Sequence, residues 1–377
     1  MRSTTRSVGW APSHAPWTDA ALRLIGSRAV SIAVGTDGGI RFAVSGRVPR
    51  LPASNQKLLT SMAVLAAFGP RHRLATLAEG VHRIRKGTLH GDLWLVGSGD
   101  PKLTGARLAQ LAARLWAGGL RSVAGSVVGD TGAFDRGWWA PGWIPGLSRR
   151  YVARPTALAL DGNLGAGRPE LTAAAGLTDA LRRQGVRVSG SPRTGRAPAT
   201  LISLSRVLSP PLASILSRQN TRSVNFDAEM LTKALGDRLE GEGSTDAGGD
   251  AIERWARRQG VRVRAEDGSG LSHRDRVSAV GMVKLLLEAR SAPWGSAFIA
   301  SLPVPGEGTL GRRLAGSPVH AKTGTLFVTP VSALSGYVRD ADGRLVTFSI
   351  LSRGMDKPTA VAIEDAVVRV LSQAHVT

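Results

Sequence analysis

The chain has 377 residues and no cysteine. Disulfides and thiol chemistry are therefore excluded, while the redox compartment stays open, because exported and cytosolic proteins both fit. No run of eighteen or more apolar residues occurs, so no stretch of this sequence reads as a membrane-spanning helix. The opening MRSTTRSVGWAPSHAPW carries basic residues with no apolar stretch behind them and does not read as a secretory signal. The seven histidines show no His-x-x-x-His or similar ligand spacing beside an acid, and neither a metal nor a cofactor is expected. Lysine is scarce: of 49 Lys plus Arg, the lysines are those at 57, 86, 102, 233, 284, 322 and 357. Arginine keeps its proton in a protein, whereas a buried lysine can be pushed toward neutrality and act as a base. Lysine is thus expected where a proton must move.

What is present describes a globular protein of two or three domains, with 42% hydrophobic residues and 46 glycines. The formal charge of +21 raises the question of nucleic acid. Its arginines are spread along the whole chain, without a dense basic run or a nucleic-acid motif, and that class is set aside. An anionic polymer such as a cell wall is the partner this charge would steer toward the protein.

Helical and strand patterns interleave, which gives a mixed α/β (α+β) class. A helix is expected from Thr18, as N-cap, to about Ser27. Strands at 29–34 and 40–44 flank Thr36-Asp37-Gly38-Gly39, which is hairpin chemistry. The stretch from Gln56 to Phe68 is nearly all apolar and closed by Gly69-Pro70, as in a buried helix. Between 71 and 204 the pattern places strands at 92–96 and 122–128 and helices near 105–117 and 176–184, and this region reads as an inserted unit. Helices follow near 211–218, 224–236, 247–259 and 277–289. Strands at 319–323, 331–338 and 345–351 and a helix at 358–372 close the chain. The expected division is a discontinuous catalytic domain, 1–70 with 205–377, and an inserted domain, 71–204.

Three short strings carry the chemistry: Ser54-Asn55-Gln56-Lys57, Ser223-Val224-Asn225 and Lys322-Thr323-Gly324. Ser54 and Lys57 are three apart at a helix start, which puts their Cβ atoms on one face about 5–6 Å apart. A neutral amine there can take the hydroxyl proton, provided that burial and a neighbouring cation, with Lys322 as candidate, lower its pKa. The helix start also turns backbone donors toward the serine. In isolation each string has an ordinary explanation: a chance Ser-x-x-Lys, an N-cap, a glycine in a strand. Their joint occurrence, each once, on a helix, a helix start and an edge strand, makes one site.

With these strings, the chain resembles the serine penicillin-recognising enzymes, specifically the D-alanyl-D-alanine carboxypeptidase/endopeptidase family of class C penicillin-binding proteins. The segments ASNQKLLTS, LWLVGSGDPKLT, EDGSGLSHRDRVSA, SLPVPGEGTLGRRLAG and HAKTGTLFVTPVSALSGYV all carry the likeness, from about residue 20 to the C-terminus. The resemblance implies a transpeptidase/β-lactamase-like antiparallel sheet flanked by helices, with a mixed domain inserted after the nucleophile helix. It implies that Ser54 is acylated, with Lys57 as proton acceptor, Ser223 as relay to the leaving amine, and Asn225 orienting Lys57 and the substrate amide. Lys322 would supply positive potential and Thr323 a hydroxyl toward the substrate carboxylate. The N–H groups of Ser54 and Thr325 would bind the oxyanion. Gly324, Leu271 and Trp139 complete the expected substrate contacts. The implied partners are peptidoglycan stem peptides as substrates and β-lactams as covalent inhibitors. The implied location is exported, on the cell-wall side of the membrane.

Some positions depart from the family pattern. Val224 is apolar at the middle of Ser-x-Asn, a position expected to point away from the chemistry. The run Gly270-Leu271-Ser272-His273-Arg274 moves the guanidinium one residue on from its usual place, altering an expected carboxylate contact. The segment Trp138-Trp139-Ala140-Pro141-Gly142-Trp143 lacks an acid just beyond it, and its tryptophans read equally as packing between domains or as a substrate wall. The rival readings are a β-lactamase, an esterase on the same scaffold, and a non-catalytic wall-binding homologue. The first needs a glutamate-held water, and Glu170, read as lying in a loop, has no asparagine four residues later. The last would not be expected to keep Ser54, Lys57, Ser223, Asn225 and Lys322 together.

Overall fold

The computed structural model describes residues 15–146 and 148–376, leaving aside the side chains of 148 and 149. Most of the opening segment read for a signal therefore lies outside the described residues. The first helix, α1 (Pro16–Ile25), starts two residues before the expected Thr18. Pro16 occupies the first turn, where its missing N–H costs nothing, and the Thr18 hydroxyl donates back to the Ala15 carbonyl. The hairpin β1 (Val30–Thr36) and β2 (Gly39–Val44) closes on Asp37-Gly38, and α2 (Gln56–Phe68) follows.

The next stretch builds its own sheets. It runs β3 (Ala75–Gly80), β4 (Thr88–Leu89), β5 (Leu93–Gly97), α3 (Gly105–Ala117), β6 (Ser122–Val123) and β7 (Val127–Asp130), then the single turn α4 (Ser148–Tyr151). It ends with α5 (Pro169–Arg183), β8 (Arg187–Val188), β9 (Arg193–Gly195) and β10 (Ile202–Leu208). A mixed sheet takes the order β10-β3-β5-β7-β9, and a small parallel one the order β4-β6-β8. Helices α3 and α5 share a core with them through Leu108, Leu111, Leu115, Leu177 and Leu181. Three expectations are corrected here. The strand expected at 122–128 is two short strands in different sheets, parted at Ala124–Ser126. Helix α5 begins at Pro169, so Glu170 lies in its first turn and not in a loop. The division expected at 204/205 falls inside β10, which pairs with β3 as far as Leu208.

The chain then returns with α6 (Leu212–Arg222), α7 (Asn225–Glu240), α8 (Thr245–Arg258), α9 (Ala279–Ser291) and the short α10 (Gly295–Ala300). Side chains of Ser244 and Ser278 cap α8 and α9, each cap contributing about 1 kcal/mol. Strands β11 (Val319–Leu326), β12 (Val331–Arg339) and β13 (Leu345–Arg353) join β1 and β2 in an antiparallel sheet, order β11-β12-β13-β1-β2. Helix α11 (Lys357–Gln373), capped by Asp356, lies against α1 on one face of this sheet. The other face meets α2 and α9. Both faces are covered, which is why β12 is buried at eight consecutive positions instead of alternating. Strand β11, which carries Lys322-Thr323-Gly324, is an edge of the sheet, as expected. A further apolar cluster joins Phe134, Trp143 and Ala157 to Phe226, Met230 and Ala234 of α7, tying the second unit to the first.

Candidate active site

Ser54 sits in a tight turn, Ala53–Asn55, that runs straight into α2. Ala53 has φ of 48°, a left-handed conformation that costs a residue with a Cβ roughly 1–2 kcal/mol. The surroundings hold it there. A Cβ on Gly270 would lie 1.9 Å from the Ala53 carbonyl oxygen, and one on Gly324 would lie 2.8 Å from that of Pro52. Glycines from two different segments thus let backbone close around the serine turn. In the amide orientation that satisfies both its ends, Asn55 donates to the Lys322 carbonyl at 2.8 Å, fastening the turn to β11.

Lys57 is fully buried, and its Nζ meets three acceptors: Ser54 Oγ at 3.2 Å, Asn225 Oδ1 at 2.7 Å and the Ser269 carbonyl at 2.6 Å. These use every substituent position of a tetrahedral nitrogen. If the amine is neutral, Asn225 and Ser269 hold its two hydrogens and its lone pair is left facing Ser54. Burial pulls the Lys57 pKa down to about 8, against the upward pull of Asp267, Glu229 and Asp275. Burial is the cause that was expected; the cation named beside it, Lys322, is not among the groups that shift Lys57, and the repulsion between the two lysines shows at Lys322 instead.

Those three acids are the part of the site that the motifs did not reveal. Glu229, on α7, accepts from the backbone N–H groups of Gly268 and Ser269. Asp267 accepts from the N–H groups of Gly270 and Ser272 and from the Trp143 indole at 2.6 Å. The loop is thereby wound onto two carboxylates, and this aims the Ser269 carbonyl at Lys57. Burial and then Asp267 push Glu229 up to about 8, and the same causes raise Asp275 well above the usual carboxylate range. Asp275 Oδ2 is buried with no donor facing it, which fits a protonated carboxyl donating to Asp267.

Ser223 ends α6 in the left-handed region, φ 55°, and Asn225 opens α7. The Ser-x-Asn string is thus a helix-to-helix corner that turns Asn225 toward Lys57 of α2 and Ser223 toward Lys322 of β11, while Val224 packs against the apolar cluster at α7. From β11, buried Lys322 donates to Ser223 Oγ at 3.0 Å and to the Thr323 carbonyl at 2.8 Å. Burial holds Lys322 well below the ordinary lysine range, with Lys57 and Lys357 lowering it further.

Of the other expected contacts, Leu271 and Thr325 line the pocket of about 200 Å³ at Ser54, together with Ser223 and Asn225. Thr323 and Gly324 follow Lys322 on β11. Trp139 is not among the residues that line this pocket. It stacks on Trp138, with ring centroids 5.5 Å apart, and lies over Trp143 in a separate hollow. Trp143 is buried in the joint between the units, so for that ring the packing reading applies. Tyr151, His273, Phe327 and Val328 line the pocket without having been singled out as contacts. A larger groove of about 800 Å³ shares Tyr151, Ser223 and Asn225 with it and is lined by Lys102, Arg150, Arg154 and Arg218.

A family model described as the D-Ala-D-Ala carboxypeptidase 3 (S13) family matches residues 27–166 and 164–374. The chain is 32% identical to a D-alanyl-D-alanine carboxypeptidase from Actinomadura sp. (strain R39), in a match covering 86% of this chain and 77% of that protein. It is 30% identical to carboxypeptidase DacB of Mycolicibacterium smegmatis, over 86% and 76% respectively. Among solved structures, penicillin binding protein 4 (dacB) from Haemophilus influenzae superposes with a TM-score of 0.83 over 95% of this chain and 99% of that one. At 22% identity this last likeness speaks for the fold. Taken with the model match along nearly the whole sequence, it follows that the chain belongs to the D-Ala-D-Ala carboxypeptidase 3 (S13) family, serine-type hydrolases of the penicillin-binding class.

Proposed function

We propose that the protein cleaves the D-Ala-D-Ala bond of peptidoglycan stem peptides through an acyl-enzyme on Ser54, and that β-lactams acylate the same oxygen. The observation that carries this reading is the environment of Lys57 Nζ, whose two hydrogens are held by Asn225 and Ser269 so that the third position meets Ser54 Oγ. In acylation Lys57 takes the hydroxyl proton, Oγ bonds to the carbonyl carbon and the tetrahedral oxyanion lies toward the N–H groups of Ser54 and Thr325. The C–N bond then breaks as Ser223, held by Lys322, relays to the departing amine the proton that Lys57 took, which leaves Lys57 neutral and the Ser223 hydroxyl restored. Water repeats the sequence on the ester and frees the shortened peptide and Ser54. Lys322 and Thr323 face the substrate carboxylate, whose arrival raises the proton affinity of Lys322 and, by like-charge coupling, lowers that of Lys57. When the amine side is a second stem peptide instead of free D-Ala, the same steps give endopeptidase action. Such a substrate places the protein on the cell-wall side of the membrane.

The test is intact-mass spectrometry after benzylpenicillin, with the adduct mapped by digestion, beside release of D-Ala from a peptide ending in D-Ala-D-Ala. One adduct on Ser54 with D-Ala release supports the reading. Rapid penicillin hydrolysis with no D-Ala release moves it to a β-lactamase, and neither activity moves it to an esterase or a binding module.

Only neutral Lys57 can accept the proton, so the acylation rate constant should rise with pH and level off above about 8. At pH 6 it should lie about a hundredfold below that plateau. A rate independent of pH between 5.5 and 9 would place proton acceptance elsewhere. The groove beside Ser223, where Arg218 pairs with Asp227 and Lys102, Arg150 and Arg154 stand against Asp161, supports binding of an anionic wall polymer. There, Lys102→Ala with Arg154→Ala should weaken retention on isolated cell walls at low salt and leave it unchanged at high salt. Equal retention of variant and parent at low salt would remove the groove from that role.

A further inference from the structure

Lys357 is one of the seven lysines in a chain that otherwise uses arginine. It opens α11, beside the positive end of the helix dipole, an unfavourable place for a cation. Its side chain is half-buried and turns back onto the sheet. Nζ donates to Ser332 Oγ at 2.7 Å and to the Gly324 carbonyl oxygen at 3.4 Å. Ser332 lies on β12 directly opposite Thr325 of β11. Its one hydroxyl hydrogen goes to Glu364 at 2.5 Å, so the oxygen is left to accept from Lys357. Glu364 and Asp365 are in turn both held by Arg313, at 2.8 and 2.7 Å. Among the described residues, no carboxylate oxygen comes within 4.0 Å of Lys357 Nζ. The ammonium is thus placed by α11, braced by Ser332 and turned to a backbone carbonyl of the strand that carries Lys322-Thr323-Gly324.

The Gly324 carbonyl belongs to the same peptide unit as the Thr325 N–H. In a trans unit the two groups point in opposite directions, so a donor on the carbonyl stands behind an N–H that faces the substrate. Resting on the acyl-enzyme reading above, we propose that Lys357 is a positioning residue of the oxyanion hole. Its ammonium fixes and polarises the Gly324–Thr325 peptide, making the Thr325 N–H a stronger donor as negative charge forms on the substrate oxygen. Hydrogen bonds in series strengthen one another, and an ionised donor contributes more than a neutral one. At 3.4 Å the carbonyl contact is long, as contacts in catalytic sites often are before substrate arrives. Lys357 is not among the residues that line the pocket at Ser54, so it acts through the peptide and not on the substrate directly. Strand β11 is then held at two successive stations, by Asn55 at the Lys322 carbonyl and by Lys357 at that of Gly324.

The experiment measures acylation by benzylpenicillin in Lys357→Met, which keeps the side chain's length without its charge or donors, and in Lys357→Arg, which keeps both. Saturation kinetics separate the dissociation constant of the first, non-covalent complex from the acylation rate constant. In Lys357→Met we expect the rate constant to fall about tenfold, short of the roughly hundredfold or greater loss that removing an oxyanion donor itself causes. The dissociation constant should stay within about twofold of the parent's. Lys357→Arg should recover about a third or more of the parental rate constant. Phenylacetamidomethylboronic acid reads the same feature without turnover, because its tetrahedral adduct on Ser54 resembles the intermediate. Its affinity should fall in Lys357→Met in step with the rate constant. A Lys357→Met protein that acylates at the parental rate, or binds the boronic acid as tightly as the parent, would overturn the proposal. A loss confined to the non-covalent complex would overturn it too, making Lys357 an anchor for the substrate carboxylate. So would a loss shared by Lys357→Arg and matched by a lower melting temperature, which would make the residue structural only. A parent protein that forms an adduct with neither probe would instead defeat the acyl-enzyme reading itself.

Discussion

Replacing Ser54 with alanine abolishes covalent labelling by benzylpenicillin and lowers D-Ala release by about 10⁴-fold or more, the scale on which removing a nucleophile acts in serine hydrolases. The fold should persist. Ser54 is half-buried, and its hydroxyl meets Lys57. Alanine follows the same turn, and Lys57 keeps Asn225 and Ser269 as acceptors. The melting temperature should therefore stay close to the parent's while activity disappears, separating lost chemistry from lost structure. Intact mass after penicillin and a D-Ala release assay check the two halves. A variant that still forms an adduct, or still turns over peptide, carries its nucleophile elsewhere.

How much of this site could be read from the sequence depends on how each residue does its work. Ser54, Lys57, Ser223, Asn225 and Lys322 act through side chains at short fixed spacings. Those spacings survive translation into a helix turn, a helix-to-helix corner and an edge strand. The hairpin at Asp37-Gly38 was also legible, because two-residue turns and alternating apolar runs are local signals. Glu229, Asp267 and Asp275 were not. Each is one acid among polar neighbours, and their meaning comes from α7 and the 266–275 loop folding over Lys57. Helix α7 is buried from Phe226 to Gly236, acids and a lysine included, so its amphipathic pattern is faint and gives no hint of which polar residues are enclosed. Burial, expected as a cause of the Lys57 shift, is its largest one, while the charges that act on Lys57 are the enclosed acids, which the packed molecule and not the sequence brings near it. Within the second unit, the break at Ala124–Ser126 is hidden because both halves of the 122–128 run have strand composition. Only the pairing partners, β4 and β8 for one half and β5 and β9 for the other, tell them apart.

Lys57→Arg should be nearly as damaging as Lys57→Ala, with both lowering the acylation rate about 10³-fold or more. A reading in which position 57 supplies only positive potential predicts the opposite, since arginine keeps the charge. The geometry decides between them. Lys57 Nζ is one atom with three acceptors arranged around it, and it works by losing a proton while two hydrogens stay anchored on Asn225 and Ser269. A guanidinium spreads its donors over a planar fork, cannot match that arrangement and does not deprotonate in a protein. It is also larger, in a position with no exposed surface, between α2 and a loop held by Asp267. Stability and rate should therefore both fall in Lys57→Arg, and Lys57→Ala, which leaves space instead of crowding, separates the two effects. The pH profile gives the second discriminator. If Lys57 is the base, the residual acylation of either variant loses the rise that levels off near pH 8 in the parent. If Lys57→Arg acylates at close to the parental rate with that rise intact, the proton goes to the Ser223 and Lys322 pair, whose 3.0 Å contact is the other place in the site where an amine meets a hydroxyl.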